Sequence, residues 1–463
     1  MGEQQQQAGL TVGRNLKIGL FHLGSGMADV ITTGVWNRIM ISDLGFSATP
    51  IGLLVSLRYF LAPLGVWAGR MSDQHTIGGY RRLFWVWLGR LMMVVSTLAL
   101  GLSTAHLARG GTAELGIWVV ISLALLLFSL GSAFSGSTFL ALIYDRATPS
   151  QRGRAVGIVW TFLLLGFTVG GVLFGVLLPS RDAAHPQGFS PETLQNLFVV
   201  GALVMGSLWF FSLLGEERRH SDVASSQAQR EPSTSLWADL RLAWSNRQTR
   251  YFFWYLTLSM LFAFSQDLIL EPFAGEVFRM DAAHTTRFAA YWGSMAILGT
   301  IVFLWLGRRY PRLTNMRMSV IGVGVLIATF ALFALSSFAS IRPLVTPGLI
   351  LLGIGLGIWN VGTLGLMMEM SPFGRAGTFL GFWTLVVTLA RGIGVSAGGI
   401  LRDLGIALSG SPQVAYGMAF LLAGIGLVVA FAALRQVNVQ AFQEEQGVKV
   451  KSDTETVLAG AMD

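Results

Sequence analysis

Residues 145–155 read Asp145-Arg-Ala-Thr-Pro149-Ser-Gln-Arg152-Gly-Arg154-Ala155, and residues 369–377 read Glu369-Met-Ser-Pro372-Phe-Gly-Arg375-Ala376-Gly377. An acid, a proline, an arginine and a small residue recur in one order, displaced by roughly 220 positions, which marks an internal repeat. Each block joins two long apolar runs. Working outward, the runs lie at roughly 16–38, 50–69, 83–106, 116–143, 155–178 and 195–214, then at roughly 250–273, 286–307, 316–338, 344–368, 376–400 and 413–434. A helix needs about 20 mostly apolar residues to cross a bilayer, and each run is of that order. Spanning strands would alternate over about ten residues, which these runs do not. The expected fold is all-α: about twelve transmembrane helices in two six-helix pseudo-repeats.

Composition agrees. Hydrophobic residues make up 53% of the 463-residue chain, charged residues only 12%, and the mean hydropathy is +0.61. A soluble chain carries roughly twice that charged fraction. There are no cysteines, so disulfides, thiolate metal sites and cysteine nucleophiles are excluded. The net charge of +8 sits in short loops between apolar runs, the pattern of membrane orientation rather than of a nucleic-acid groove. No nucleic-acid partner is expected. Met1–Thr11 is polar and Gln-rich without the marks of a cleaved signal, so the first run is expected to be a stable span.

The expected organisation is an N-terminal six-helix bundle over 1–214, a cytoplasmic linker over 215–249, a C-terminal six-helix bundle over 250–436 and a polar tail over 437–463. Leu236–Trp244 in the linker reads as a short surface helix. With the N-terminus placed inside, about 22 Lys and Arg fall in inside segments against about 6 in the opposite loops. Both termini are therefore expected in the cytoplasm. Glycines four apart (Gly166 and Gly170, and Gly171 and Gly175, in the fifth span, Gly394 and Gly398 in the eleventh, Gly353 and Gly357 in the tenth) predict close helix approach. Two parallel six-helix repeats match the architecture of the major facilitator superfamily.

Loop residues carry a second pattern. Gly69-Arg-Met-Ser-Asp73 followed by Tyr80-Arg81-Arg82 is similar to the facilitator signature between the second and third spans. There Asp73 would take backbone NH groups at a helix N-terminus or pair with a loop arginine, unless these are simply positive-inside charges. Asp145, Arg152 and Arg154, and Glu369 and Arg375, mark the repeated loop.

Charges inside spans are costly, so each asks for a role or a partner. The first span holds His22, Asp29, Asn37 and Arg38, the second Arg58 and the third Arg90. The seventh holds Gln266, Asp267 and Glu271 followed by Pro272, and the eleventh Arg391. His22 and Asp29, seven apart, share a helix face, as do Asp267 and Glu271, four apart. These are either buried ion pairs fixing the packing or groups facing a cavity. His22, the histidine inside a span, is either a packing residue or an axial ligand to a tetrapyrrole metal. Magnesium takes oxygen or nitrogen donors, which adds Asn37, Gln266, Glu271 and Asn360. Under an offset of about 234 residues Glu271 falls opposite Asn37, beside Arg38. Arg38 and Glu271 are thus expected to bridge the halves near the outer face; the alternative is that Arg38 snorkels and Glu271 caps a neighbouring helix. No P-loop, nucleophile elbow, His-Glu-x-x-His or dinucleotide fingerprint is present, so an enzyme is not expected.

Four stretches resemble one family. They are Gly26-Met-Ala-Asp-Val-Ile-Thr-Thr-Gly34-Val-Trp-Asn37-Arg38-Ile-Met40-Ile; Gln266-Asp267-Leu-Ile-Leu270-Glu271-Pro272-Phe-Ala-Gly275-Glu276-Val277; Trp359-Asn360-Val-Gly362 through Met367-Met368-Glu369; and Gly381-Phe-Trp383 with Ala390-Arg391-Gly392 and Gly398-Gly399 through Asp403. On these residues the chain resembles the PucC-type bacteriochlorophyll delivery family, light-harvesting complex assembly proteins and a branch of the major facilitator superfamily. The resemblance implies a non-enzymatic factor that delivers (bacterio)chlorophyll, or a precursor, as bound cargo to light-harvesting or photosystem apoproteins. The membrane implied is cytoplasmic or photosynthetic, intracytoplasmic or thylakoid. Pigment-binding candidates are His22, Asp29, Asn37, Gln266, Asp267, Glu271 and Asn360, with His22 leading for axial ligation of the pigment magnesium; no other metal or cofactor is implied. Two alternatives stay open: a proton-coupled secondary transporter of a small solute using Asp29 or Glu271, and a scaffold that binds antenna subunits without touching pigment. Fold does not decide among them.

Overall fold

The computed structural model describes residues 10–111, 114–148, 151–179, 189–217, 244, 246–371 and 376–445. The rest of the expected linker, its surface helix apart from Trp244, the tail beyond residue 445 and Arg375 lie outside the described residues. Those described form helices and short connections, with one isolated bridge between Ile77 and Tyr80 and no strand.

Among the described residues, twelve helical passages follow the predicted runs. The first comprises Val12–Asp29 and continues as wider π-helical turns over Val30–Trp36 and Ile39–Asp43. The second is Ala48–Phe60 with Pro63–Gln74, the third Leu83–Ala108, the fourth Leu115–Arg146, the fifth Arg152–Leu177 and the sixth Pro191–Phe211. The seventh is broken into Arg247–Ala263 and Leu270–Phe278. The eighth is Ala282–Thr286 with Phe288–Arg309, the ninth Asn315–Phe338, the tenth Val345–Glu369, the eleventh Ala376–Ser409 and the twelfth Pro412–Arg435. Ten of these are long and apolar enough to cross a membrane, and the bent seventh makes eleven. The first falls short on apolarity because its opening helix carries Arg14, Lys17 and Asp29.

Packing repeats between the halves. The third span packs on the fourth and sixth, the first on the fifth and sixth, and the second on the fourth. Six positions later, the ninth packs on the tenth and twelfth, the seventh on the eleventh and twelfth, and the eighth on the tenth. Between halves, the second span lies on the eleventh and the fifth on the eighth. Without a hydrophobic drive inside lipid, such contacts depend on close van der Waals approach, which small residues permit. A side chain at Gly166 would strike the Leu23 carbonyl of the first span. In the other half, side chains at Gly394 and Gly398 would strike the Leu261 and Ser265 carbonyls of the seventh. The glycine pairs thus set the same first-to-fifth approach in both repeats.

Candidate functional site

Two irregular spans meet at the centre. The first loses regular α-helical winding just after Asp29, and the seventh breaks over Phe264–Ile269 with a 44° bend. Pro272 does not make the bend. Pro272 lies after it, in the first turn of Leu270–Phe278, where a missing backbone NH costs little. Broken helices leave backbone groups without intrahelical partners, and those groups are tolerated where something else satisfies them. Here Asn37 of the first span donates its side-chain NH2 to the Leu268 carbonyl at 2.8 Å, across the halves, while its Oδ1 accepts from the Arg38 backbone NH at 2.7 Å. Asn37 is fully buried, and its side-chain oxygen already accepts one hydrogen bond.

Around the break, four charges form two pairs. Arg58 Nη1 donates to Asp29 at 2.5 Å, and Arg391 Nη2 to Asp267 at 2.7 Å. Tyr59 lies between them, its ring 4.7 Å from the Arg58 guanidinium and 5.2 Å from that of Arg391, which reaches it from the other half. Gln266 donates to Asp267 at 2.7 Å. Asp29, Gln266, Asp267, Glu271 and Arg391 line a cavity of about 30 Å³, closed on one side by Phe167 and Trp292. Glu271 is 5% exposed and, among the described residues, forms no ion pair. The break therefore does not separate Asp267 from Glu271; both face one water-sized space.

The expected Arg38–Glu271 bridge is not formed. The π-helical turns bring Asp43 back over Arg38, whose Nη1 donates to it at 2.7 Å, while Nη2 donates to the Met280 carbonyl at 2.9 Å. Arg38 is fully buried and packs against Gly275. It does join the halves, but through a backbone oxygen beyond the seventh span. A second joint was not foreseen. Asp403, near the end of the eleventh span, accepts from the backbone NH groups of Ala48 at 3.0 Å and Thr49 at 2.7 Å, and from the Thr49 hydroxyl at 2.7 Å. It thus caps the N-terminus of the second span from the opposite half. Arg402 binds both Asp403 and Glu276, and Tyr416 donates to Glu276 at 2.9 Å. The sequence signal available was the Ser47-Ala-Thr49 helix start, which has no capping side chain of its own. These contacts close the distal end of the molecule, remote from the loops that follow the second and fourth spans.

His22 stands apart from this centre. Its ring stacks on Phe139 of the fourth span at 4.8 Å and meets Trp160 of the fifth edge-on at 6.2 Å. The imidazole is partly exposed, its Nδ1 is buried without a partner, and Trp160 is 49% exposed. Nearby Arg90 has no carboxylate partner among the described residues; its guanidinium lies between the faces of Phe21 at 4.3 Å and Trp209 at 4.8 Å. Of the two alternatives left open for the span charges, Arg90 takes the packing role, through cation–π contact rather than an ion pair. Asn360 is exposed on the tenth span, one and two turns from exposed Leu364 and Met368.

At the other, proximal end, Asp73 pairs with Arg81 at 2.8 Å and Arg82 at 2.5 Å, and Arg82 also reaches Asp145 at 3.0 Å and the Ser72 hydroxyl. Asp73 takes arginines rather than a helix terminus. Glu217 takes the terminus, accepting from the NH groups of Arg81, Arg82 and Leu83. Sequence reasoning had placed Glu217 in the linker. Gly69 offers its carbonyl to Ser72. Arg154 donates to the Leu10 carbonyl, Arg152 lies over Tyr144, and Glu369 accepts from Asn315. No group of three or more His, Asp and Glu gathers as a metal site among the described residues.

Two six-helix pseudo-repeats, joined by the second, fifth, eighth and eleventh spans around a polar centre, define a multi-pass membrane protein of the major facilitator type. A bacterial homologue of the human lysosomal transporter Spinster, in an inward-facing and unoccupied conformation, superposes with a TM-score of 0.68 at 15% identity, covering 96% of this chain and 99% of that one. That likeness establishes the fold alone. The chain belongs to the PucC family: the family described as PUCC protein matches residues 35–442. Protein PucC of Rhodovulum sulfidophilum is 29% identical over 401 residues, 85% of this chain and 86% of the relative. The "Bacteriochlorophyll synthase 44.5 kDa chain" of Rhodobacter capsulatus is 29% identical over 422 residues, 89% of this chain and 92% of the relative.

Proposed function

We propose that this protein is a non-enzymatic (bacterio)chlorophyll-binding delivery and assembly factor for light-harvesting or photosystem apoproteins, working in a cytoplasmic or photosynthetic membrane. Family membership and a relative named for bacteriochlorophyll support the pigment. The absence of an enzyme motif from the sequence supports carriage over synthesis, against the word synthase in that relative's name.

The observation that carries the reading is His22. A magnesium ligand needs an imidazole nitrogen not spent on the protein, and His22 makes no hydrogen bond among the described residues. It also lies beside half-exposed Trp160, an aromatic surface suited to the flat face of a macrocycle, with fully buried Phe139 stacked behind it. The central cavity supports a site elsewhere than between the halves. Pockets for drug-sized ligands run about 300–1,000 Å³, whereas this one holds about 30 Å³ and the arginine in its lining, Arg391, is paired with Asp267. A proton-coupled transporter is the second reading, favoured by buried Glu271 without a cation partner beside that cavity.

Purification in mild detergent from a pigment-producing host tests the proposal. The protein is expected to carry a stoichiometric tetrapyrrole absorption band, and His22→Leu to lose it while keeping the wild-type elution profile. Wild-type protein without a band would overturn pigment binding. Unchanged pigment in His22→Leu would remove His22 as the ligand and leave Asn360 as the exposed alternative.

A further inference from the structure

A second cavity, of about 730 Å³, opens at the proximal end of the C-terminal half. It lies between the starts of the seventh and ninth spans, the end of the tenth and the short helix Val439–Glu445. Its volume falls in the range of small-ligand sites, unlike the central one. Its lining is mostly polar: Arg247 and Arg435, the carboxamides of Gln436, Gln440 and Gln443, and one acid, Glu369.

Two guanidinium groups outnumber one carboxylate in this lining. Glu369 has one oxygen taken by the Asn315 side-chain NH2 at 2.7 Å. Neither arginine pairs with a carboxylate among the described residues: Arg247 donates to the Tyr251 hydroxyl at 3.0 Å, and Arg435 lies 6.0 Å from the Phe431 ring. Two long helices, Arg247–Ala263 and Asn315–Phe338, begin at this cavity and two, Val345–Glu369 and Pro412–Arg435, end there, so helix dipoles give it no net sign and its charge is set by the side chains. Arg308, Arg309, Arg312 and Arg317 stand exposed at the same end of this half. A concave polar space with two guanidinium groups free of carboxylate partners and several amide donors suits a compact anion rich in oxygen acceptors, and arginine matches phosphate oxygens with paired hydrogen bonds.

We propose that this cavity is a binding site for a phosphate-bearing group, held by Arg247 and Arg435 with the carboxamides of the C-terminal helix. The group comes from an anionic lipid headgroup or from a free phosphate compound. The inference is independent of pigment binding, and its failure would leave that reading untouched.

Delipidated full-length protein in a non-ionic detergent is titrated calorimetrically with inorganic phosphate, with short-chain phosphatidylglycerol and with short-chain phosphatidylcholine. One saturable site is expected for at least one of the first two probes. Binding of phosphatidylglycerol alone assigns a lipid headgroup; binding of inorganic phosphate as well shows that the phosphate group suffices. Arg435→Gln is expected to weaken binding about tenfold or more, the loss of one charge-assisted contact, while Arg309→Gln, outside the cavity, changes it less than about twofold. If Arg435→Gln does not fold, Gln440→Glu, which places a negative charge in the lining at an exposed position, is expected to have the same effect. Absence of saturable binding, binding of phosphatidylcholine alone, or equal loss in Arg309→Gln would overturn the site, the last by reducing it to a diffuse positive field.

Discussion

Replacing Asp403 by Ala is expected to open the distal end. The carboxylate accepts three hydrogen bonds from the start of the second span, at 2.7–3.0 Å, while standing on the eleventh span of the other half. Removing a helix N-cap costs about 0.5–2 kcal/mol. Hydrogen bonds to a charged group contribute about 1.5–3 kcal/mol, so the sum for a partly exposed carboxylate is taken as about 2 kcal/mol. Because this cap exists only when the halves are together, its loss falls on the closed arrangement and not on either half alone. A shift of about 2 kcal/mol changes the open-to-closed ratio roughly thirtyfold, since about 1.4 kcal/mol is a factor of ten. The chain lacks cysteine, so a single reporter is clean. Ser396→Cys, 6% exposed under Gly52 in the second–eleventh interface, reads the opening by its rate of maleimide labelling in nanodiscs. The rate should rise roughly thirtyfold with Asp403→Ala and about fivefold with Asp403→Asn, which keeps one oxygen acceptor but no charge. An unchanged rate in Asp403→Ala, with the protein still folded, would refute the idea that this cap holds the halves together.

Other outcomes follow from the same contacts. Asp267→Asn strands the Arg391 guanidinium and should destabilise the protein by on the order of 3 kcal/mol in thermal unfolding; adding Arg391→Gln should restore part of the loss, because no unpaired charge then remains. No recovery in the double variant would count against the pairing. Reporter fusions after Gly45 and Val223 should fall on opposite sides of the membrane, the second in the cytoplasm, as the lysine and arginine bias requires. Both reporters on one side would defeat the expected orientation.

Much of this architecture is local information. Each span had to be a long apolar run because backbone polar groups in lipid can be satisfied only within a helix, so the number, order and approximate limits of the spans were legible from residue chemistry alone. The repeat was legible too, since the loops at 145–155 and 369–377 preserve one order of residues. The residues of the centre could be named for the same reason: Asp29, Arg58, Asp267 and Arg391 are conspicuous because charge is costly in hydrocarbon. Their partners were not legible. A buried charge takes whichever opposite group or carbonyl the packed helices bring within about 3 Å, and sequence spacing does not encode that distance. Glu271 and Arg38 illustrate the limit. An offset derived from the repeat placed them together on the assumption of regular winding, but the first span widens after Asp29 and the seventh breaks before Leu270. Those two departures turned Arg38 to Asp43 and Met280, gave Asn37 the Leu268 carbonyl to satisfy, and left Glu271 facing the cavity. Asp403 and Glu217 were hidden for a related reason. Each caps a helix far away in sequence, and only the assembled bundle brings a free helix start within reach of a distant carboxylate.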